Sequence, residues 1–262
     1  MPDQDRFRAA SELLVQHWTA GTRLVELPSD LRPATRAEGY AIQAGLDDVT
    51  SAPLVGWKIA ATSLAGQRHI NVDGPLAGRL LAERLLEDGA TVSLATNGMR
   101  VAEVEFAFRF GDDLPPRPEL YTVDEVMAAV ASLHPAIELP DARFVDYRAV
   151  GAPQLIADNA CAHKFLPGPA VADDWRTMDL AAFPVAAVLN GTIRYDGVGA
   201  NALGDPRVAL TWLVNELSDL GISLRAGEMV TTGTCITPVP IVPGDEVTGF
   251  WGPFGELSVR FG

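Results

Sequence analysis

The chain has 262 residues, of which 48% are hydrophobic and 21% are charged, a composition typical of a globular protein that is large enough to bury a core. Its formal net charge of −14 argues against nucleic acid and anionic membranes as partners, because both would repel it. Two cysteines do not make a disulfide framework, and neither a secretory signal nor an apolar run of about 18 residues occurs, so we expect a cytoplasmic protein with free thiols.

Helical patterns occupy the start of the chain. Residues 5–20 and 35–49 carry apolar side chains at the spacing of an amphipathic helix. We therefore expect a small helical N-terminal part, residues 1–55, packed on a β-rich main body formed by residues 56–262.

Strand patterns dominate the remainder. Apolar, β-branched and aromatic stretches predict strands within residues 54–60, 91–110, 136–141, 184–197 and 228–262. Asn190-Gly191 suits the type I′ turn of a hairpin. Capping and spacing signals predict helices at residues 122–132, 153–166 and 205–221, and a loop with a short helix at 63–90. Helices followed mostly by strands predict an α+β fold rather than a regular β-α-β alternation.

Lysine is rare in this chain, which has eighteen arginines but only Lys58 and Lys164. Codon bias explains the general preference for arginine but not the two exceptions. A buried lysine can lose its proton, whereas an arginine effectively cannot. Lys58 lies in the predicted strand LVGWKIA, where a lysine needs a partner or a function. It is therefore a candidate functional residue.

Two acids interrupt the predicted strand VAEVEFAFRF at residues 101–110. Glu103 and Glu105 leave a strand on the same face, with Cβ atoms roughly 7 Å apart. An exposed, solvated strand face is the simplest explanation, because burying unpaired carboxylates is costly. A third acid, Glu138, lies in another apolar strand pattern and could converge with them. Three carboxylates without His or Cys would favour Mg²⁺, Mn²⁺ or Ca²⁺ over zinc.

Several separate stretches resemble one family. They are GWKIAATS (56–63), VAEVEFAFRFGDDLP (101–115), AIELPDARF (136–144), LIADNACAHKFLPG (155–168) and MVTTGTCITPVPIVPGDEV (229–247). In this order they resemble the fumarylacetoacetate hydrolase superfamily, in its branch of 2-keto-4-pentenoate hydratases and 4-oxalocrotonate decarboxylases. The resemblance implies a mixed β-sheet roll or barrel-like core with flanking helices, and commonly a homo-oligomer.

The resemblance also implies a metal centre and a substrate. Mg²⁺ or Mn²⁺ would be held by Glu103, Glu105 and Glu138, and a small anionic 2-oxo acid would bind it. Lys58 matches the lysine that hydrogen-bonds the substrate or moves a proton in relatives. Asp73 matches the first acid of a D-x-P-D pattern and is the second catalytic candidate.

Four further residues are candidate substrate contacts. Ser63, Gly233 and Thr234 match positions near the substrate carboxylate in relatives. His69 lies in the sequence GQRHINVDG, which we interpret as a loop bordering the site. The chain contains neither G-x-G-x-x-G nor a P-loop pattern, so we expect no nucleotide cofactor.

The chain departs from the family pattern in places that leave the reaction open. Leu76 replaces the second acid of D-x-P-D, and Cys161 lies where relatives have a serine-rich run. Hydration of a 2-hydroxy-2,4-dienoate is the leading hypothesis. The alternatives are decarboxylation of a 2-oxo diacid, C–C hydrolysis of an acylpyruvate, and a catalytically weak scaffold that associates with a related pathway enzyme.

Overall fold

Two β-sheets form the body of the protein. The computed structural model describes residues 3–50, 52–172 and 174–262. The strands are β1 (Leu54–Ala60), β2 (Leu76–Leu81), β3 (Thr91–Val92), β4 (Val101–Phe110), β5 (Val130–Leu139), β6 (Lys164–Pro167), β7 (Pro184–Leu189), β8 (Ile193–Val198), β9 (Met229–Thr234), β10 (Val239–Pro240), β11 (Glu246–Phe250) and β12 (Glu256–Phe261). The α-helices are α1 (Asp3–Ala20), α2 (Arg36–Ala44), α3 (Leu46–Val49), α4 (Leu64–Ile70), α5 (Val123–Ala129), α6 (Gly151–Ala157) and α7 (Pro206–Asp219).

The larger sheet is mixed and carries the candidate site. Its strand order is β2-β1-β9-β4-β5-β6, and the short β10 pairs with β4. Strands β1 and β9 run parallel, whereas their other neighbours are antiparallel. The smaller sheet has the order β3-β12-β11-β7-β8. The predicted α+β class, with a curled mixed sheet and flanking helices, is confirmed.

The two faces of β4 differ in chemical character. Because side chains alternate along a strand, Phe106 lies on one face and Glu103 and Glu105 lie on the other. The Phe106 ring packs edge-on against Phe183, just before β7, with ring centroids 5.7 Å apart. The aromatic face of β4 therefore contacts the smaller sheet, and the acids point away from this core.

Two local sequence predictions are confirmed. Strands β7 and β8 form the expected hairpin, and Asn190 and Gly191 have φ angles of +52° and +67°, as a type I′ turn requires. Helix α7 begins with Asp205 as its N-cap, which accepts a hydrogen bond from the Arg207 N–H, and Pro206 occupies the first turn.

The boundary between α5 and β5 was predicted wrongly. The helix ends at Ala129 rather than near residue 132, and β5 continues through Pro135 instead of starting after it. Proline is tolerated because the Pro135 carbonyl accepts from the Gly168 N–H, 2.8 Å away, just beyond β6. The nitrogen of a strand residue points to the same side as its carbonyl, here toward β6 and away from β4, so the missing N–H removes no bond from the β4–β5 ladder.

Two other predictions were also wrong. Strand β2 lies within the segment 63–90, predicted as loop and short helix; all six of its residues are buried, so its sequence shows no alternation. The helix predicted at 153–166 ends with α6 and is followed by β6. The intervening residues Asn159, Ala160 and Cys161 all have positive φ angles, which a right-handed helix excludes.

Helix α1 is anchored on the sheet-bearing part of the chain. The Trp18 Nε1–H donates to Nδ1 of His163 across 2.9 Å. No described helix has the length and apolar character that crossing a bilayer requires. The division into residues 1–55 and 56–262 stays a prediction, and residues 1, 2, 51 and 173 lie outside the described part.

The buried His163 gives a pH-dependent prediction. Burial, with the nearby charges of Arg143 and Arg84, lowers the pKa of His163 from 6.5 to about 2. Below pH 6.5 the unfolded chain binds a proton here and the folded chain does not, so stability present above this value is lost as the pH falls. Between pH 7 and pH 5 the free energy of unfolding should fall by about 2 kcal/mol more in the native protein than in His163→Gln.

Urea unfolding at a series of pH values measures this difference. His69→Gln, at an exposed position, is the control and should follow the native pH dependence. The prediction would be contradicted if the free energy of unfolding fell equally with pH in the native protein and in His163→Gln.

Candidate active site

Three glutamates converge on the face of the larger sheet that points away from the aromatic core. Glu103 of β4 lies directly opposite Glu138 of β5, and Glu105 follows two residues later on the same face. One carboxylate oxygen from each lies within 4.8 Å of the others. Glu105 and Glu138 are each only 1% exposed. The antiparallel register of β4 and β5 therefore creates a cluster of three carboxyl groups, of which Glu105 and Glu138 are buried and Glu103 is half-buried.

Lys58 is the cationic partner of this cluster. It lies in β1, is 2% exposed, and places its Nζ 3.1 Å from Oε2 of Glu138. Burial alone would lower the pKa of Lys58, but the charges of Glu138 and Glu103 outweigh it and raise the pKa to about 12. Lys58 therefore carries its proton at neutral pH and can donate a hydrogen bond or a proton.

When ionised, the three carboxyl groups carry more negative charge than one lysine can balance. Burial raises the pKa of Glu103 and Glu138 despite the opposing charge of Lys58, and burial with the Glu103 charge raises the pKa of Glu105 to about 7. Oε1 of Glu105 and Oε1 of Glu138 are buried and make no hydrogen bond to any described residue. Such orphaned oxygens are costly without a partner, and hard divalent cations prefer oxygen donors of this kind. The residues present thus fit a Mg²⁺- or Ca²⁺-type ion.

The second oxygen of Glu105 is fixed by β9. Its Oε2 accepts a hydrogen bond from the Thr231 hydroxyl and another, of 2.8 Å, from the Gly233 N–H. Gly233 has a φ angle of +99°, and a Cβ there would lie 2.1 Å from Oγ1 of Thr62. This position therefore requires glycine. The Thr234 hydroxyl donates to the Ile236 carbonyl, 3.0 Å away.

The remaining sequence candidates lie around α4. Ser63 caps this helix by accepting from the Gly66 N–H at 3.0 Å. His69 lies in the last turn of α4 rather than in a loop, with its ring centroid 6.4 Å from that of Tyr147. Asp73 follows α4; its side chain is 82% exposed and pairs with Arg36 across 3.2 Å.

The structure thus separates the candidates into two groups. Lys58 and the three glutamates contact one another in the buried cluster. Asp73 is a surface acid in this conformation. Its catalytic role and the substrate contacts assigned to Ser63, His69, Gly233 and Thr234 stay predictions.

Comparison with known proteins places the chain in a family. Residues 71–261 match the family model described as fumarylacetoacetate (FAA) hydrolase C-terminal. The chain belongs to the fumarylacetoacetate hydrolase family. This family assignment agrees with the resemblance of the dispersed sequence stretches.

Relatives from the same family cover the whole chain. A 2-hydroxyhexa-2,4-dienoate hydratase of Comamonas testosteroni is 30% identical over 100% of this chain and 99% of its own length. A 2-keto-4-pentenoate hydratase of Paraburkholderia xenovorans is 31% identical over 100% and 96%. The structure of a 4-oxalocrotonate decarboxylase from Pseudomonas putida G7, complexed with magnesium and adipate, has a TM-score of 0.88 and 25% identity, over 98% of this chain and 97% of that one.

Sequence reasoning missed two buried polar contacts, of which one is made by Glu105. Thr231 was not singled out, because its hydroxyl reaches Glu105 only through the pairing of β4 with β9. The Asp158 carboxylate was likewise not assigned; it accepts hydrogen bonds from the backbone N–H and the side chain of Arg143, and both side chains are buried. Glu105 lies 126 residues from Thr231, so no local pattern signals this contact.

The left-handed turn after Asp158 also supports the site. The Asn159 side chain pairs with β2 by accepting from the Arg79 N–H at 2.6 Å and donating to the Arg79 carbonyl at 2.9 Å. Gly78, the partner of Lys58 on β2, has no side chain and so leaves room for Asn159 and for Lys58. A Cβ on Gly78 would lie 2.4 Å from the Asn159 carbonyl oxygen and 3.2 Å from Cγ of Lys58. The turn therefore packs against the strand pair that carries Lys58.

Metal binding to the buried cluster should raise thermal stability. A cation at a hundredfold excess over its Kd stabilises the native state by about 2.7 kcal/mol, which corresponds to roughly 5–10 °C for a chain of this size. We expect this rise with Mg²⁺ or Ca²⁺ in the chelator-treated native protein and not in Glu103→Gln. Differential scanning calorimetry measures both.

Glu216→Gln provides the control, because Glu216 binds Tyr40 and Arg36 outside the cluster. Its unfolding temperature should respond to the metal as that of the native protein does. An equal rise in Glu103→Gln would place the binding site elsewhere.

Proposed function

We propose that this protein is a metal-dependent hydratase that adds water to a 2-hydroxy-2,4-dienoate and gives a 4-hydroxy-2-oxo acid. The observation that carries the proposal is the buried cluster of Glu103, Glu105 and Glu138 with the protonated Lys58 beside it. The full-length similarity to hydratases of 2-hydroxyhexa-2,4-dienoate and 2-keto-4-pentenoate supports the substrate class.

The three glutamates would hold Mg²⁺ or Mn²⁺. Such an ion, when bound, stabilises negative charge on the 2-oxo oxygen of a 2-oxo acid and so favours the enolate. The solved relative complexed with magnesium and adipate supports a divalent ion beside a small carboxylic acid. We propose that one of these two ions is the physiological metal.

Lys58 would supply the proton chemistry of the site. Its ammonium is held by Glu138, so its position is fixed before substrate binds. Because it is protonated, it acts as a donor to the substrate rather than as a base. Ser63, His69, Gly233 and Thr234 are proposed to line the substrate, and Asp73 to exchange protons with it after a movement of the segment that follows α4.

The reaction needs two proton movements and one water. The 2-hydroxyl loses its proton while C5 gains one, which gives the conjugated 2-oxo-3-enoate. The oxygen of water then bonds to C4 while the water loses one proton, and the resulting enolate takes one proton at C3. The sum is the addition of one water molecule, so no oxidant, reductant or nucleotide is required.

Decarboxylation of a 2-oxo diacid is the second candidate function. It uses the same enolate but breaks a C–C bond with loss of CO₂. The fully buried Leu76 favours this candidate, because it replaces an acid that hydratases often have. The similarity to the decarboxylase of Pseudomonas putida G7 over nearly the whole chain supports it as well.

We also propose an oligomeric state, a cellular location and a partner for this protein. We expect a homo-oligomer in the cytoplasm, with an association with a related pathway enzyme as a further proposal. Size-exclusion chromatography with light scattering would determine the oligomer.

Turnover of 2-hydroxypenta-2,4-dienoate, followed by loss of its ultraviolet absorbance, tests the proposed function. We expect turnover with Mg²⁺ or Mn²⁺, none after chelation, and at least a hundredfold lower kcat in Glu105→Gln or Lys58→Met, since each removes a group at the reacting centre. Asp73→Asn should lower kcat only if Asp73 moves toward the substrate.

The 2-oxo diacid 4-oxalocrotonate is the matched alternative substrate. Release of CO₂ from it, with no loss of the dienoate, would assign the decarboxylase function instead. Metal binding without turnover of either compound would contradict both and favour the acylpyruvate or scaffold hypotheses.

A further inference from the structure

Strand β9 contains an irregularity between the residues that pair with Glu105 and Ala107. The register pairs Glu105 with Thr234 and Ala107 with Thr231. Two steps along β4 therefore correspond to three steps along β9, which is a β-bulge. Bulges re-aim side chains and are frequent beside active sites. Here the extra residue lies next to Gly233, whose positive φ angle accommodates the bend.

The bulge turns two donors toward one atom. The Thr231 hydroxyl and the Gly233 N–H both donate to Oε2 of Glu105. Both donors are fully or almost fully buried, and Thr231 is 0% exposed. The other oxygen, Oε1, is buried and has no hydrogen-bond partner among the described residues. The two oxygens of a single carboxylate are thus given different surroundings.

We propose that Thr231 is a positioning residue for cation binding: with the Gly233 N–H it fixes Oε2 of Glu105, so that Oε1 is presented as the ligand. This inference rests on the proposed function, because it assumes that the glutamate cluster binds a cation. Without the hydroxyl, Oε2 keeps one donor instead of two, and the carboxylate can rotate about its last bond. Partners that orient a ligating carboxylate typically contribute about 10- to 100-fold to metal affinity.

The next residue of the same strand provides a matched control. Thr232 is also 0% exposed, and its hydroxyl donates to the Phe106 carbonyl at 2.9 Å. Thr231→Val and Thr232→Val therefore remove the same buried group from adjacent positions. Only the first removes a hydrogen bond to a candidate metal ligand.

The experiment is a Mn²⁺ titration of the chelator-treated protein, with free Mn²⁺ measured by electron paramagnetic resonance. We expect Thr231→Val to raise the Kd for Mn²⁺ about 10- to 100-fold, and Thr231→Ser, which keeps the hydroxyl, to bind close to the native value. Thr232→Val should change the Kd less than threefold, although it loses a buried hydrogen bond as well.

The outcomes separate this inference from the proposed function. Native-like Mn²⁺ affinity in Thr231→Val, or equal weakening in the two valine variants, would overturn the positioning role while leaving the metal site intact. Failure of the native protein to bind Mn²⁺ would overturn the proposed function itself. Circular dichroism of each variant verifies that a change in affinity does not arise from unfolding.

Discussion

The burial of three carboxyl groups around one lysine is the constraint on which the site depends. A buried carboxylate is tolerated only when charge or hydrogen bonds compensate it. Lys58 compensates Glu138 directly, and β9 gives two hydrogen bonds to Glu105. One lysine does not neutralise three carboxylates, and the pKa of each group is raised, so their ionised forms are destabilised until a further cation balances them. This imbalance is what makes the cluster a strong candidate for a divalent cation.

The apolar parts of the fold allow these acids to be placed on one face of the larger sheet. Strand β4 carries its aromatic residues on the opposite face, where Phe106 packs with Phe183. The smaller sheet also reaches β4 through Trp251, whose Nε1–H donates to the Glu105 backbone carbonyl at 3.0 Å. Burial of these large side chains, worth about 1.5–3 kcal/mol each, supplies stability that the acidic face does not. The site is therefore built on a strand that is fixed from behind.

Sequence patterns identified the lysine and the glutamates of the candidate site, but not the residues that contact them. Lys58 and the two β4 glutamates stood out because each conflicts with an apolar strand, and that conflict is visible locally. The fold class followed from the order of helix and strand patterns and from the family resemblance. Strand β2 was not predicted, because a strand buried on both faces has no alternation of apolar and polar residues. Strand β5 was predicted too short, because a proline such as Pro135 usually marks the end of a strand. Thr231 escaped because its significance arises from a bulge in a long-range strand pair.

The choice between hydration and decarboxylation is decided at the edge of this cluster rather than within it. Both reactions need the same stabilised enolate, so Glu103, Glu105 and Glu138 do not discriminate between them. Hydration also needs protons delivered to carbons remote from the carboxylate, whereas loss of CO₂ is favoured where water is excluded. Leu76 is completely buried, and Asp73, three residues before it, is at the surface. Under the proposed hydration Asp73 would have to move inward or Lys58 would have to serve more than one proton transfer, whereas the proposed decarboxylation would need neither.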